Sequence, residues 1–211
     1  MEKIQSSLKN MVLVLVGVAL LVGAVLAYVN HMTEGPIKKK AEETLAAGIK
    51  NVMGTDKLKV ADPKNVTMNI DGKDATFVIH SVTDNSGKPL GAAVESTTTG
   101  FGGDLKVLVG FDPTGKILGY TILATSETPG LGLKASTWFQ KDGKGSIIGM
   151  NPDKGDLHVS KESTAGNAVD AITASTITSK AFLKAVNQAY KVYTSNNTDG
   201  NSGATKKQAK S

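Results

Sequence analysis

The strongest pattern in the chain is a run of apolar residues without a charge near its start. Residues 11–29 read MVLVLVGVALLVGAVLAYV, which as a helix would span roughly 28 Å at about 1.5 Å per residue. That length predicts one membrane crossing. The alternative is a cleaved signal peptide, because Lys3 and Lys9 form a basic leading region and residues 25–27 (VLA) offer a small-residue cleavage site. The run is longer than the apolar part of a signal peptide, so a retained transmembrane helix is favoured.

A second helix is predicted after the membrane segment. Thr33 can cap it, Pro36 can occupy its first turn and Gly54 can end it. Its apolar positions fall on one face and are Ile37, Ala41, Leu45, Ile49, Val52 and Met53. We expect this helix to close the domain core rather than lie on lipid, as part of a helical connection over residues 30–73.

Short β-type segments follow this connection. Residues 74–82 and 90–97 predict one hairpin, and residues 105–112 and 117–124 predict another, because each pair flanks a turn-rich linker (DNSGK and PTGK). Sequential hairpins imply an antiparallel sheet. The predicted fold class is therefore α+β, with one N-terminal transmembrane helix followed by an antiparallel-sheet domain over residues 74–193 that helices flank.

The last ordered element predicted is a helix from about Thr178 to Tyr193. Its apolar stripe consists of Phe182, Leu183, Val186, Ala189, Tyr190 and Tyr193. Residues 194–211 read TSNNTDGNSGATKKQAKS and have almost nothing to bury. We expect them to form a disordered polar tail.

The charge distribution argues against nucleic-acid binding. The formal net charge is +5, yet residues 41–194 hold 16 lysines against 16 acidic residues, so the excess lies in the two ends. All 24 basic residues are lysine, and the arginine forks that read guanine or clamp phosphate are absent. Lys3 and Lys9 before the membrane segment and lysines 38–40 after it leave its orientation open.

Other common chemistries find little support in the residue types. The chain has no cysteine, which excludes disulfides, thiolate metal sites and cysteine nucleophiles. The histidines His31, His80 and His158 are scattered and have no second ligand at metal-like spacing. The glycine-rich segment 100–103 matches no complete phosphate-binding loop, although its glycines would let the backbone approach a ligand closely.

Two segments are better candidates for a site. In the first, residues 126–134 (SETPGLGLK), Pro129 and Gly130 can form a type II turn and Glu127 offers a carboxylate acceptor. Taken alone, this segment is typical of a surface turn. In the second, residues 170–179 (DAITASTITS), hydroxyls crowd in front of the last helix. They suit either a plain helix cap or an anion site at the helix N-terminus, and helix physics does not choose between the two.

The second segment resembles a flavinylation motif. The motif occurs in the FMN-binding subunits of the Rnf complex and of the sodium-translocating NADH:quinone reductase, and reads aspartate, two residues, Ser or Thr, usually Gly, usually Ala, then the acceptor Thr or Ser. Asp170, Thr173 and Thr176 match it directly, while Ala174 and Ser175 stand where glycine and alanine are usual. The same family carries an ETPGLG segment, which residues 127–132 repeat unaltered. The resemblance covers residues 1–193 and, by length, is closer to the G subunit of Rnf.

The resemblance implies an electron carrier rather than an enzyme with its own turnover. It implies FMN joined through its phosphate to Thr176 as a phosphoryl threonine, installed by a flavin transferase. It also implies partner membrane and iron–sulfur subunits that pass electrons between ferredoxin and NAD, coupled to ion transport. The family places the domain outside the cytoplasmic (inner) membrane, with residues 1–10 on the cytoplasmic side.

For the remaining site residues we expect two groups. Thr173, Ser175 and Thr178 would flank the phosphate linkage, and Glu127, Thr128, Gly130 and Leu131 would lie against the isoalloxazine. Two alternatives stay open. One is the corresponding FMN subunit of a sodium-translocating NADH:quinone reductase, and the other is a non-redox extracytoplasmic binding module in which the hydroxyl cluster only caps the helix.

Overall fold

A computed structural model describes residues 8–70 and 72–201, with side chains through residue 196. It divides into two units, the residues up to Thr44 and those from Leu45 onward. The first unit consists of helix α1 (Leu8–Met53) as far as Thr44. Among the described residues, α1 is the one helix long and apolar enough to cross a membrane, and its large apolar side chains from Leu8 to Ile37 are exposed. A single helix that is apolar all round fits a membrane anchor.

The predicted break between two N-terminal helices was wrong, because α1 is continuous and contains Pro36 in its interior. The Thr33 hydroxyl donates to the carbonyls of Val29 (2.9 Å) and Asn30 (3.3 Å) of the same helix instead of capping a new one. An interior proline removes one helical hydrogen bond, whereas ending and restarting a helix leaves four N–H and four C=O groups unpaired. Continuing through Pro36 is therefore the less costly arrangement.

The second unit is built on a six-stranded antiparallel sheet. The strands are β1 (Lys59–Val60), β2 (Lys64–Ile70), β3 (Lys73–Thr83), β4 (Pro89–Thr99), β5 (Asp104–Phe111) and β6 (Ile117–Thr125). Their order is β1-β3-β4-β5-β6, and β2 also pairs with β3. The two predicted hairpins are confirmed as β3–β4 and β5–β6. The α+β fold class is confirmed as well.

The prediction of a helical connection through residue 73 was wrong beyond Met53. Gly54 ends α1 at φ +66°, and the chain then forms β1 and β2. In β2 the half-buried positions are Val66, Met68 and Ile70, which alternate with exposed residues. This period of two was present in the sequence and is the signal of a strand with one face on the core.

The end of α1 packs against one face of the sheet. Ile49, Val52 and Met53 are buried there against strand residues, as the sequence predicted for that part of the stripe, whereas Ile37 and Ala41 are exposed. Gly110 and Gly119 pair across β5 and β6 beneath this helix. A Cβ at either position would lie 2.7 Å or 2.9 Å from the Val52 carbonyl oxygen, so only glycine allows so close an approach.

The opposite face of the sheet is covered by helix α3 (Thr176–Asn201), which packs on β4 and β5. The predicted stripe is buried, and Phe182 stacks on Phe139 with ring centroids 4.3 Å apart. The helix extends eight residues beyond the predicted end at Tyr193, which corrects the first part of the expected tail. Extending an existing helix costs far less than nucleating one, so polar residues can prolong it. Residues 202–211 lie outside the described residues.

Residues 126–175 connect the sheet to α3 and contain little regular structure. They include the short helix α2 (Ala135–Trp138) and two short parallel strands, β7 (His158–Val159) and β8 (Ala168–Val169), none of which the sequence predicted. The Tyr120 hydroxyl fixes α2 to the sheet because it donates to the Ala135 carbonyl at 2.5 Å. This segment brings residues 126–134 to the start of α3.

Candidate functional site

The hydroxyl-rich run at 170–179 surrounds the start of α3. Thr176 is the first residue of the helix. The buried Ser179 hydroxyl donates to the Ser175 carbonyl (2.9 Å) and accepts from the Ile172 N–H (2.9 Å). These two bonds fasten the preceding turn to the first turn of the helix, so the position of Thr176 is fixed from both sides.

The turn in front of Thr176 contains an unusual backbone conformation. Ala174 has φ +61°, and it is the single non-glycine residue with a positive φ in the described part of the chain. A left-handed conformation costs an L-residue with a Cβ about 1–2 kcal/mol. Residue 174 is also the position where the flavinylation motif usually has glycine, which adopts this conformation freely.

Glu127 joins this helix start to two loops. It is only 6% exposed and lies two residues after the end of β6. Its Oε1 accepts from the Phe101 backbone N–H at 2.7 Å, and its Oε2 accepts from the Thr178 hydroxyl at 2.9 Å. A single carboxylate therefore connects the β4–β5 loop, the segment after β6 and the first turn of α3.

Two glycines make room for this carboxylate. A Cβ at Gly100 would lie 2.1 Å from Glu127 Oε1, and a Cβ at Gly132 would lie 2.3 Å from Oε2 and 2.8 Å from the Thr178 hydroxyl oxygen. Any side chain at either position would collide with the carboxylate. Gly100 of the GFGG segment and Gly132 of the ETPGLG segment thus leave space for the Glu127 carboxylate on two sides.

These elements enclose a cleft of about 390 Å³. The residues that line it are Phe101, Glu127, Thr128, Leu131, Gly132, Ala174, Ser175, Thr176, Ile177 and Thr178. Apolar side chains stand exposed around it, including Phe101 (69% exposed), Ile177 (58%) and Leu131 (42%). The volume and the mixture of apolar walls with a few convergent polar groups are typical of a small-molecule site.

The cleft brings together most residues that the sequence singled out. Ser175, Thr176, Thr178, Glu127, Thr128 and Leu131 line it. Thr173 and Gly130 do not, although each adjoins a residue or turn that does. Gly132, the last residue of the ETPGLG segment, lines it as well, whereas sequence reasoning did not propose Phe101, Ala174 or Ile177 as site residues. The available signal for Phe101 was a large aromatic residue placed between glycines in a loop, where it has no strand face to bury.

Asp170, the first residue of the motif, lies outside the cleft lining. Its Oδ1 accepts from the Ser160 hydroxyl at 2.7 Å, and its backbone carbonyl accepts from the Trp138 indole N–H at 2.8 Å. These contacts fix the chain where it enters the turn before α3. The Asp170 side chain is exposed, so it is accessible from solvent.

The structure combines an apolar N-terminal helix with an α+β domain that has a cleft at the N-terminus of α3. Sequence comparison matches residues 100–191 to the family described as FMN-binding domain, which agrees with this architecture. The chain is 30% identical to the G subunit of the ion-translocating oxidoreductase complex of Shewanella baltica, over 84% of this chain and 85% of that one. It is 31% identical to the G subunit of the Na⁺-translocating ferredoxin:NAD⁺ oxidoreductase complex of Acetobacterium woodii, over 91% and 96%. The chain belongs to this family of G subunits.

A solved structure shows the same fold at lower similarity. The C subunit of the Na⁺-translocating NADH-quinone reductase from Parabacteroides distasonis aligns with a TM-score of 0.52 and 18% sequence identity, covering 75% of this chain and 94% of that one. At that identity the similarity establishes the architecture alone.

The residues of the cleft fit FMN. A phosphate group gains hydrogen-bond donors and the positive end of the helix dipole at the start of α3, where Thr176 lies. A flat apolar ring system gains the exposed walls formed by Phe101, Leu131 and Ile177. The two requirements are met at neighbouring positions in one cleft.

Proposed function

We propose that this chain is the flavin-carrying G subunit of an ion-translocating ferredoxin:NAD⁺ oxidoreductase complex of the Rnf type, with FMN joined through its phosphate to Thr176. The chain belongs to the G-subunit family, contains an FMN-binding domain and has a membrane anchor. Bound FMN would supply one- and two-electron redox chemistry. The protein's own residues would hold and orient it, so no independent turnover is expected.

The observation that carries the choice of Thr176 is the state of the neighbouring hydroxyls. Thr178 is 1% exposed and its hydroxyl is committed to Glu127, while the Ser179 hydroxyl is fully buried and committed to the Ser175 carbonyl. Ser175 is buried, and Thr173 lies outside the cleft. Thr176 is partly exposed, begins the helix and lines the cleft, which makes it the best placed of these hydroxyls to accept a phosphate ester.

The roles of the other cleft residues follow from their positions. We assign Ser175 and the first turn of α3 to the phosphate, and Thr128 and Leu131 to the ring system. Thr178 acts through Glu127 rather than on the phosphate directly, since its hydroxyl donates to that carboxylate. Asp170 stands at the accessible entrance of the turn, where a flavin transferase can reach it.

The proposal also covers the side of the membrane on which the domain lies and the complex to which it belongs. The domain would lie on the extracytoplasmic, periplasmic side of the inner membrane, and its partners would be the membrane and iron–sulfur subunits of the complex. The related FMN subunit of a quinone reductase is the alternative, supported by the shared architecture. The higher identity and fuller coverage of the G subunits favour the Rnf type.

The test is covalent flavin on the intact chain made together with a flavin transferase. We expect in-gel flavin fluorescence after denaturation, and FMN mass on Thr176 within the tryptic peptide of residues 162–180. Thr176→Ala should abolish the fluorescence. Thr164→Ala is the matched control, because Thr164 lies on the same peptide, is exposed and does not line the cleft, and it should keep the flavin. A Thr176→Ala protein that stays flavinylated would contradict the proposal, and an intact protein without flavin would favour the binding module.

A further inference from the structure

Two glutamates of the domain are equally buried but differ in their partners. Glu95 and Glu127 are each 6% exposed. Glu95 contacts two basic side chains, His80 at 2.7 Å and Lys106 at 2.6 Å. The partners of Glu127 are the Phe101 N–H and the Thr178 hydroxyl, both neutral, and no ion pair to Glu127 is formed by the described side chains, those of residues 8–70 and 72–196.

The hydrogen bonds at Glu127 suit a charged carboxylate. Each of its two oxygens accepts one bond, and an ionised carboxylate is an acceptor at both oxygens. A buried charge without a counter-charge is costly, and neutral donors offset that cost only in part. This costly group lies in the wall of the cleft that the proposed function assigns to FMN.

We propose that Glu127 is a fixed negative charge that lowers the midpoint potential of the bound flavin. The inference rests on the proposed function. Electrons that arrive on the ring system bring negative charge with them, and a nearby buried carboxylate opposes this through a medium that screens poorly. Protein charges placed near a flavin are a general means of adjusting its electronics. The carboxylate is held in place from three segments, so its effect does not relax when the flavin changes charge.

Glu127→Gln removes the charge and can keep both hydrogen bonds. The amide oxygen can accept from the Phe101 N–H, and the amide N–H₂ can donate to the Thr178 hydroxyl oxygen, since a hydroxyl both donates and accepts. The variant chain is made in full length with a flavin transferase, and its flavin content is measured first. Its midpoint potential is then measured by spectroelectrochemical titration at fixed pH. We expect a shift to a higher potential than in the wild type.

Asp104→Asn is the matched control. Asp104 is an exposed carboxylate at the start of β5 and follows Gly103 of the β4–β5 loop, so it lies near the same end of the sheet but in solvent. Water and salt screen an exposed charge, and we expect a much smaller shift. Equal shifts in the two variants would overturn the proposal, as would a Glu127→Gln midpoint at or below that of the wild type.

A second variant covers the case in which Glu127→Gln does not load flavin. Thr178→Val keeps the charge of Glu127 and removes one neutral donor, which leaves the carboxylate less compensated. We expect its midpoint at or below the wild-type value, and a higher midpoint would overturn the inference. Failure of the proposed function has a different signature, namely wild-type protein without FMN on the peptide that contains Thr176.

Discussion

At the scale of single residues, the turn before α3 shows strain beside a proposed attachment point. Ala174 holds a left-handed backbone conformation that its Cβ disfavours, and the bonds through Ser179 hold the residues on either side of it. Strain of this kind persists only where the surrounding structure fixes it. The geometry of Thr176 therefore depends on contacts made by its neighbours as well as on its own conformation.

Replacing Ala174 by glycine should stabilise the protein. Relief of the positive φ outweighs the greater entropy that glycine has in the unfolded chain, for a net gain of about 1 kcal/mol. Thermal or urea unfolding of the detergent-solubilised chain measures it. Ala171→Gly, three residues earlier at a position without positive φ, is the control and should destabilise. A lower stability for Ala174→Gly would show that the turn is not strained.

At this scale the sequence predicts candidate residues but not the contacts between them. Its turn pattern offered Glu127 as an acceptor, and its resemblance to the flavinylation motif implied Thr176 as an attachment point. It could not show that the donors to Glu127 lie 26 and 51 positions away along the chain, at Phe101 and Thr178. Contacts of that kind exist only after the sheet and α3 have packed together.

At the scale of elements, the two hairpins share one turn design. Asp84 and Asp112 each end a strand region in the pattern Asp-x-Ser/Thr-Gly-Lys. In both, Oδ1 accepts from the backbone N–H and hydroxyl of the residue two positions on and from the N–H of the lysine four positions on. The glycines adopt φ of +88° and +84°. In both the β3–β4 and the β5–β6 hairpin, the residues that determine the turn therefore lie within the turn itself, so each hairpin is encoded by a short local sequence.

Because of the aspartates in these two turns, we expect the free energy of unfolding to decrease at acid pH. The Ser86 hydroxyl bond lowers the pKa of Asp84. Burial raises the pKa of Asp112, but its hydrogen bonds, first the one from the Thr114 hydroxyl, outweigh this and lower it. A lowered folded-state pKa contributes stability above the unfolded value of about 3.9 and loses it as the pH falls through the folded value.

The double variant Asp84→Asn/Asp112→Asn checks this dependence. It should be less stable than wild type near neutral pH, and the difference should shrink as the pH falls below about 4. Urea unfolding of the full chain at a series of pH values gives the comparison. Asp142→Asn, which removes an exposed charge elsewhere, is the control. A difference that is constant with pH would exclude the carboxylates as its source.

Local encoding explains which elements the sequence predicted. Both hairpins carry their turn residues and their alternation within short stretches, and α3 carries a clear stripe. The two-residue strands β7 and β8 depend on pairing between residues ten positions apart and leave no periodic signal. The break predicted at Pro36 failed because a local rule for proline was applied where a long continuous helix was the less costly solution.

At the scale of the whole molecule, the absence of cysteine allows thiol labelling to determine on which side of the membrane the domain lies. The lysines on the two sides of the apolar segment do not decide the orientation. Our proposal places the domain outside and residues 1–10 inside. Any cysteine introduced by mutation would be the sole thiol in the chain, so labelling carries no background from the protein itself.

Lys144→Cys places a thiol at an exposed position in the domain, and Ser6→Cys places one before the membrane segment. In cells whose inner membrane is intact and whose outer layer has been made permeable, a membrane-impermeant maleimide should label Lys144→Cys and leave Ser6→Cys unlabelled. Rupture of the inner membrane should make both react. The reverse pattern would place the domain in the cytoplasm, and Lys144→Cys released as a soluble protein would indicate a cleaved signal peptide. Because a covalent flavin cannot dissociate, an extracytoplasmic domain with FMN on Thr176 would keep its cofactor where free FMN is scarce. The expected labelling pattern and the proposed attachment at Thr176 would therefore support one another.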